Sequence, residues 1–122
     1  MTTSDALAGL GSLAQETRLE VFRLLVRRGP EGLSAGAIAA ALEVPASSLS
    51  FHLHQLMHAG LVTQARRSRQ LIYSAAYDRM NALVAYLTEN CCAGAGCDPA
   101  ETVVCTPPPR PAAARPGGRG RR

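Results

Sequence analysis

The sequence predicts a mainly α fold with a small β-hairpin, and three observations carry that expectation. Apolar residues recur at helical spacing in several segments, two short helical segments stand back to back across a breaker, and two strand-like stretches flank an arginine run directly after them. The 122 residues, 47% apolar, suit one compact core followed by a tail, and a core this small favours a second copy as a stabilising partner.

The first helix is expected over Ala6 to Leu13, where Leu7, Leu10 and Leu13 keep helical spacing and Gly9 and Gly11 interrupt it. In the second, Leu19, Phe22, Leu25 and Val26 recur between Glu20, Arg23, Arg27 and Arg28, and Gly29-Pro30 ends the pattern. Ser34 can cap a third helix, Ala35 to Leu42. Glu43-Val44-Pro45 separates it from a fourth, Ala46 to Ala59, which stops at Gly60, and the pair forms a helix-turn-helix pattern. Residues 61–65 and 70–74 read as strands around Arg66-Arg67-Ser68-Arg69, a hairpin with a basic tip. Asp78 suits the cap of a fifth helix with Met80, Leu83, Val84 and Leu87 on one stripe, which Cys91 continues. The elements together predict a winged helix-turn-helix of five helices over residues 1–92. A cysteine-containing segment, 93–105, and a Pro/Gly/Arg-rich disordered tail, 106–122, follow.

The formal net charge of +4 points toward nucleic acid only through its distribution. Every basic residue is arginine; five lie in residues 106–122, which leaves eight arginines against nine acids in the rest. Contact with DNA must therefore rest on local clusters. The N-terminus lacks the pattern of a cleaved secretory leader, and no stretch approaches about 18 uninterrupted apolar residues. A cytoplasmic location without membrane association is expected. In that reducing compartment, four cysteines confined to residues 91–105 point to ligands or sensors.

On the fourth helix, a wheel places Leu49, Leu53 and Leu56 on one side. Ser47, Phe51, His54, Gln55 and His58 fall on or near the other, with Ser50 on the flank. A recognition helix needs this division, because leucines anchor it while short polar side chains let it approach base edges and phosphates. Phe51 is open to two readings, a side chain tucked against neighbouring structure or a contact with a thymine methyl. His52, His54 and His58 lack a nearby thiol or carboxylate that would complete a metal site. Arg66, Arg67 and Arg69 put charge on the hairpin, where it can reach phosphates or a minor groove.

With LAQETRLEVFRLL, PASSLSFHLHQLMHAGLV and ARRSRQLIYSA in this order, the chain resembles the ArsR/SmtB family of metal-responsive repressors over residues 6–92. The resemblance implies a homodimer joined through its first and last helices and bound to an inverted-repeat operator until an inducer arrives. It places DNA contacts on Ala46, Ser47, Ser50 and Phe51. Three features depart from the family pattern. Arg67 and Ser68 stand where an acid and a glycine are common at the wing turn, the third helix has no cysteine, and the fifth has no histidine. Two familiar inducer sites are thus missing, and sensing falls to the C-terminal thiols.

Those thiols lie in ENCCAGAGC, with Cys91 and Cys92 adjacent and Cys97 able to fold back across a Gly-containing loop. The spacing differs from the paired hooks of structural zinc sites. Trivalent arsenic and antimony are soft, favour thiolate and are satisfied by three sulfurs in a trigonal pyramid. A subset of the resembled family places an arsenite site at such a vicinal pair with a third cysteine a few residues later, which matches Cys91 and Cys92, with Cys97 favoured over Cys105 as the third ligand. The expected function is a repressor that needs no cofactor to bind double-stranded operator DNA and is released by As(III), with Sb(III) as the second candidate inducer. A redox-responsive or other soft-metal-responsive repressor is the alternative. A thiol-dependent enzyme is disfavoured, since the sequence lacks a phosphate-cradling loop and βαβ alternation.

Overall fold

The computed structural model describes residues 1–94, with side chains through Cys92. The expected segment 93–105, apart from its first two backbone positions, and the expected tail 106–122 lie outside the described residues.

Helix α1 spans Thr3–Leu13 and begins earlier than the apolar spacing suggests, because Thr2 and Asp5 close a capping box. The Asp5 N–H donates to the Thr2 hydroxyl at 3.0 Å, and the Thr2 N–H donates to the Asp5 carboxylate at 3.1 Å. The helix runs through Gly9 and Gly11 without the expected interruption; Gly9 is buried beside Leu83 and Leu61. Helix α2, Glu16–Arg28, starts at Gln15, whose side-chain oxygen accepts the Arg18 N–H at 2.9 Å. Its core face is Val21, Phe22 and Leu25. Leu19, expected on that face, is exposed, because Val21 lies two residues, about 200°, further round the helix and takes the inward position.

Ser34 caps α3, Ala35–Leu42, by accepting the Ala37 N–H at 3.1 Å, as expected. Glu43, at φ 56°, turns the chain toward α4, Ala46–His58. After Gly60, at φ 82°, the strands β2 (Val62–Arg67) and β3 (Gln70–Ala75) pair antiparallel. A further strand, β1 (Leu33–Ser34), precedes α3 and joins β3, so the hairpin is part of a three-stranded sheet of order β1-β3-β2. Two residues are too few to leave an alternation in the sequence.

Helix α5 spans Tyr77–Thr88. Its N-cap position is Ala76; Asp78, expected as the cap, lies inside the first turn instead. There its charge still suits the positive end of the helix. The Tyr77 hydroxyl donates toward the carbonyls of Val26 and Leu25, at 3.0 and 3.2 Å, and ties the base of α5 to the end of α2.

The core gathers Val21, Phe22 and Leu25 of α2, Ile38 of α3, Leu49, Leu53 and Leu56 of α4, and residues of the sheet. Helices α1 and α5 lie together beside it, joined by the Thr3 and Tyr86 hydroxyls at 2.5 Å and by Arg79 and Asp5 at 3.7 Å. Leu83 of the α5 stripe is buried, whereas Leu87 of α5 and Leu7 and Leu10 of α1 are exposed. Among the described residues no helix is long and apolar enough to cross a membrane.

Candidate nucleic-acid interface

Helix α4 divides as the wheel anticipates. Leu49, Leu53 and Leu56 are buried, and Ser47, Ser50, Phe51 and His54 are exposed. Gln55 is half-buried, in a groove shared with Ser12, Arg18 and His58 at the meeting of α1, α2 and α4. The N-cap residue Pro45 makes no side-chain cap, so the first-turn N–H groups of α4 face outward among small residues, an arrangement suited to phosphate oxygens.

Of the two readings of Phe51, the tucked one fails: the ring is 56% exposed. The guanidinium carbon of Arg18, on α2, lies 5.7 Å from the ring centroid, within cation–π range. The same Arg18 donates from Nε to Nδ1 of His52 at 3.2 Å, and the His52 ring meets Phe51 edge-on at 5.9 Å. A histidine that accepts at Nδ1 carries its proton on Nε2. Burial first, and the Arg18 charge second, hold its pKa below the usual histidine value. Sequence reasoning missed Arg18 and His52 as a pair because 34 residues separate them.

The wing departs from expectation at its tip. Strands β2 and β3 continue to the pair Arg67–Gln70, so Arg66 and Arg67 belong to β2 and the turn itself is Ser68-Arg69. Both turn residues have positive φ, 49° and 77°, the signature of a type I′ hairpin. Alternation then separates the arginines. Arg66 shares the sheet face of Tyr73 and, with Arg69, borders a groove beside Ser34 and Gly36 at the start of α3. Arg67 points to the other face and donates to the Glu31 carbonyl at 3.4 Å. The two ion pairs among the described residues, Arg28–Glu31 and Arg79–Asp5, involve none of the wing arginines. Among the described residues their charge meets no acid.

At the far end of α5 the expected stripe breaks. The helix ends at Thr88, Asn90 adopts φ 57°, and Cys91–Gly94 form a 3₁₀ turn, so Cys91 does not extend the helical stripe. Cys91 and Cys92 are both exposed, with their sulfurs 3.6 Å apart. Cys92 is disulfide-bonded, and at that separation Cys91 is not its partner. Cys97 and Cys105 lie outside the described residues. Among the described residues no three histidine, cysteine or acidic side chains gather as a metal site.

Comparison with known proteins agrees with this geometry. Residues 13–65, from the end of α1 into β2, match the family model of a helix-turn-helix domain. The HTH-type transcriptional regulator YgaV of Escherichia coli (strain K12) is 29% identical over 91 residues, 75% of this chain and 90% of that protein. An ArsR-like transcriptional regulator from Rhodococcus sp. RHA1 superposes with a TM-score of 0.62 at 27% identity, covering 69% of this chain and 76% of the other. The homodimeric winged helix-turn-helix DNA-binding domain of Mb0332 from Mycobacterium bovis, a "possible ArsR-family transcriptional regulator", gives a TM-score of 0.57 at 27% identity, over 71% and 81% of the two chains. With its exposed α4 face, its basic wing and these likenesses, the chain has a winged helix-turn-helix fold with a helix-turn-helix domain, and it is similar to transcriptional regulators of the ArsR type.

Proposed function

We propose that the protein is a cytoplasmic repressor that binds an inverted-repeat operator as a homodimer through α1 and α5, and is released when trivalent arsenic binds Cys91, Cys92 and Cys97. The observation that carries the sensor is the vicinal pair, whose sulfurs stand exposed and 3.6 Å apart where α5 has ended. Two sulfurs that share one soft centre must stand within twice a metal–sulfur bond of about 2.3 Å, and the pair already lies inside that limit. Arsenite enters as As(OH)₃, three thiols give up their protons, three As–S bonds replace three As–O bonds, and three waters leave. No electron changes hands. Antimonite follows the same course.

Dimerisation is supported by the exposed leucines of α1 and α5 and by the homodimeric Mycobacterium bovis domain. Two recognition helices held at a fixed spacing read successive major grooves, and inducer bound at the end of an interface helix shifts that spacing. Moving the population from 1:99 to 99:1 takes about 5.5 kcal/mol. With couplings of about 1–3 kcal/mol per ligand, two sites per dimer bring that within reach.

A redox reading has its own support, because Cys92 is a disulfide half. The Cys91 sulfur sits beside it at 3.6 Å, and thiol–disulfide exchange would alter the same end of α5. One titration separates the two. A labelled operator complex of fully reduced protein is challenged with arsenite, antimonite, cadmium and peroxide, then again with each cysteine changed to serine. Release by arsenite that disappears in C91S and C92S supports the metalloid sensor. Tight arsenite binding without loss of operator affinity sinks it, and release by peroxide alone selects the redox switch.

A further inference from the structure

We propose that Arg18 is a positioning residue of the DNA interface: from α2 it clamps Phe51 and His52 of α4 and so fixes the Phe51 ring for contact with a thymine methyl of the operator. The inference rests on the reading of α4 as the recognition helix and adds to it a residue of α2, outside the α3–α4 pair.

Several features converge on Arg18. Phe51 is an exposed aromatic on an otherwise polar helix face, and a ring without a lateral partner would sample several rotamers and lose entropy on docking. The Arg18 guanidinium supplies that partner at 5.7 Å. Its own plane is set in turn by the Nε–H bond to His52 at 3.2 Å, so one side chain restrains two consecutive residues of α4. The anchor is firm, because Arg18 lies in the first turn of α2, where its backbone N–H is held by Gln15.

That position is also electrostatically awkward. A cation in the first turn of a helix faces the positive end of the helix dipole, and among the described residues Arg18 forms no ion pair with an acid. A cation at a site unfavourable to its charge, in contact with Phe51 and His52 of α4, fits a role beside an anionic partner. Lysine could keep the charge but has neither the planar fork nor the Nε donor.

The test uses full-length reduced protein and an operator obtained by in-vitro selection from random duplexes, in which each thymine is replaced in turn by uracil. Wild type should lose about fourfold in affinity at one thymine per half-site, the worth of one buried methyl-sized group. In Arg18→Lys that penalty should fall to about onefold, as in Phe51→Ala, and the double variant should lose nothing more. A second arm, NMR titration of His52 without DNA, should show its pKa moving up toward the ordinary value in Arg18→Gln. A wild-type-sized uracil penalty in Arg18→Lys, no penalty anywhere in wild type, or an unmoved His52 would each overturn the proposal. Failure of the wild type to bind any duplex would sink the operator reading instead, and the NMR arm would still decide the clamp.

Discussion

Replacing Arg69 by glycine should stabilise the protein while weakening its hold on DNA, two effects of opposite sign from one substitution. Arg69 occupies the second position of a two-residue turn at φ 77°, where a side chain crowds its own backbone. The left-handed conformation costs an L-residue about 1–2 kcal/mol. Glycine removes that cost and returns about 0.5–1 kcal/mol through its greater freedom in the unfolded chain. The net is a gain of about 0.5–1 kcal/mol, and at about 4–8 °C per kcal/mol for a domain of this size the melting temperature should rise by about 2–8 °C. Arg69 also carries one of three wing charges that pair with no acid among the described residues. If it touches one phosphate, its loss reduces the salt slope by about 0.9, so a fourfold rise in salt should weaken the variant about 3.5-fold less than wild type. Thermal melts and binding isotherms at about 50 and 200 mM salt measure both quantities. Ser68→Asn, which suits the same turn and keeps every charge, should stabilise without changing the slope. A lower melting temperature in R69G would refute the turn argument, and an unchanged slope would remove Arg69 from the interface.

Two further outcomes follow from α1. Thr2→Ala should cost about 1 kcal/mol by opening the capping box, and it should raise the Asp5 pKa, which is held below 3.8 first by hydrogen bonds from the Thr2 backbone and hydroxyl. Because that pKa is depressed in the folded state, its contribution is present above 3.8 and fades as pH falls through the lowered value. The gap between variant and wild-type melts should therefore narrow in acid, and a gap independent of pH would contradict the box. Leu10→Glu places a charge on an exposed α1 position outside the core. Leu10 is 40% exposed, so each of its two copies has about 0.6–1.2 kcal/mol left to gain on burial; the dimer Kd should weaken about 10–60-fold by sedimentation, and an unchanged Kd would remove α1 from the interface.

The helix-turn-helix was legible in the sequence because its signals are local. Ser34, Pro45 and Gly60 punctuate the chain, and three leucines spaced along α4 identify its buried side. What escaped was either very short or formed across the fold. Strand β1 has only two residues, and the Arg18 clamp joins side chains 34 positions apart. The wing was read with too broad a tip because a type I′ turn ordinarily announces itself with Asn-Gly, and Ser68-Arg69 carries no such signal. Cys91 misled in the other direction: its spacing continues the α5 stripe, yet Asn90 turns left-handed and ends the helix line before it.

Ser34 serves two elements at once. Its backbone pairs with Ile72 in the sheet, and its hydroxyl caps α3. The wing's central strand and the first helix of the DNA-reading pair are therefore fastened at one residue, and neither can swing without straining the other. The reading head behaves as one stiff piece. Under the proposed function, a signal arriving at the end of α5 would have little to bend within a subunit, and its mechanical effect would fall on the angle at which one subunit is mounted against its twin.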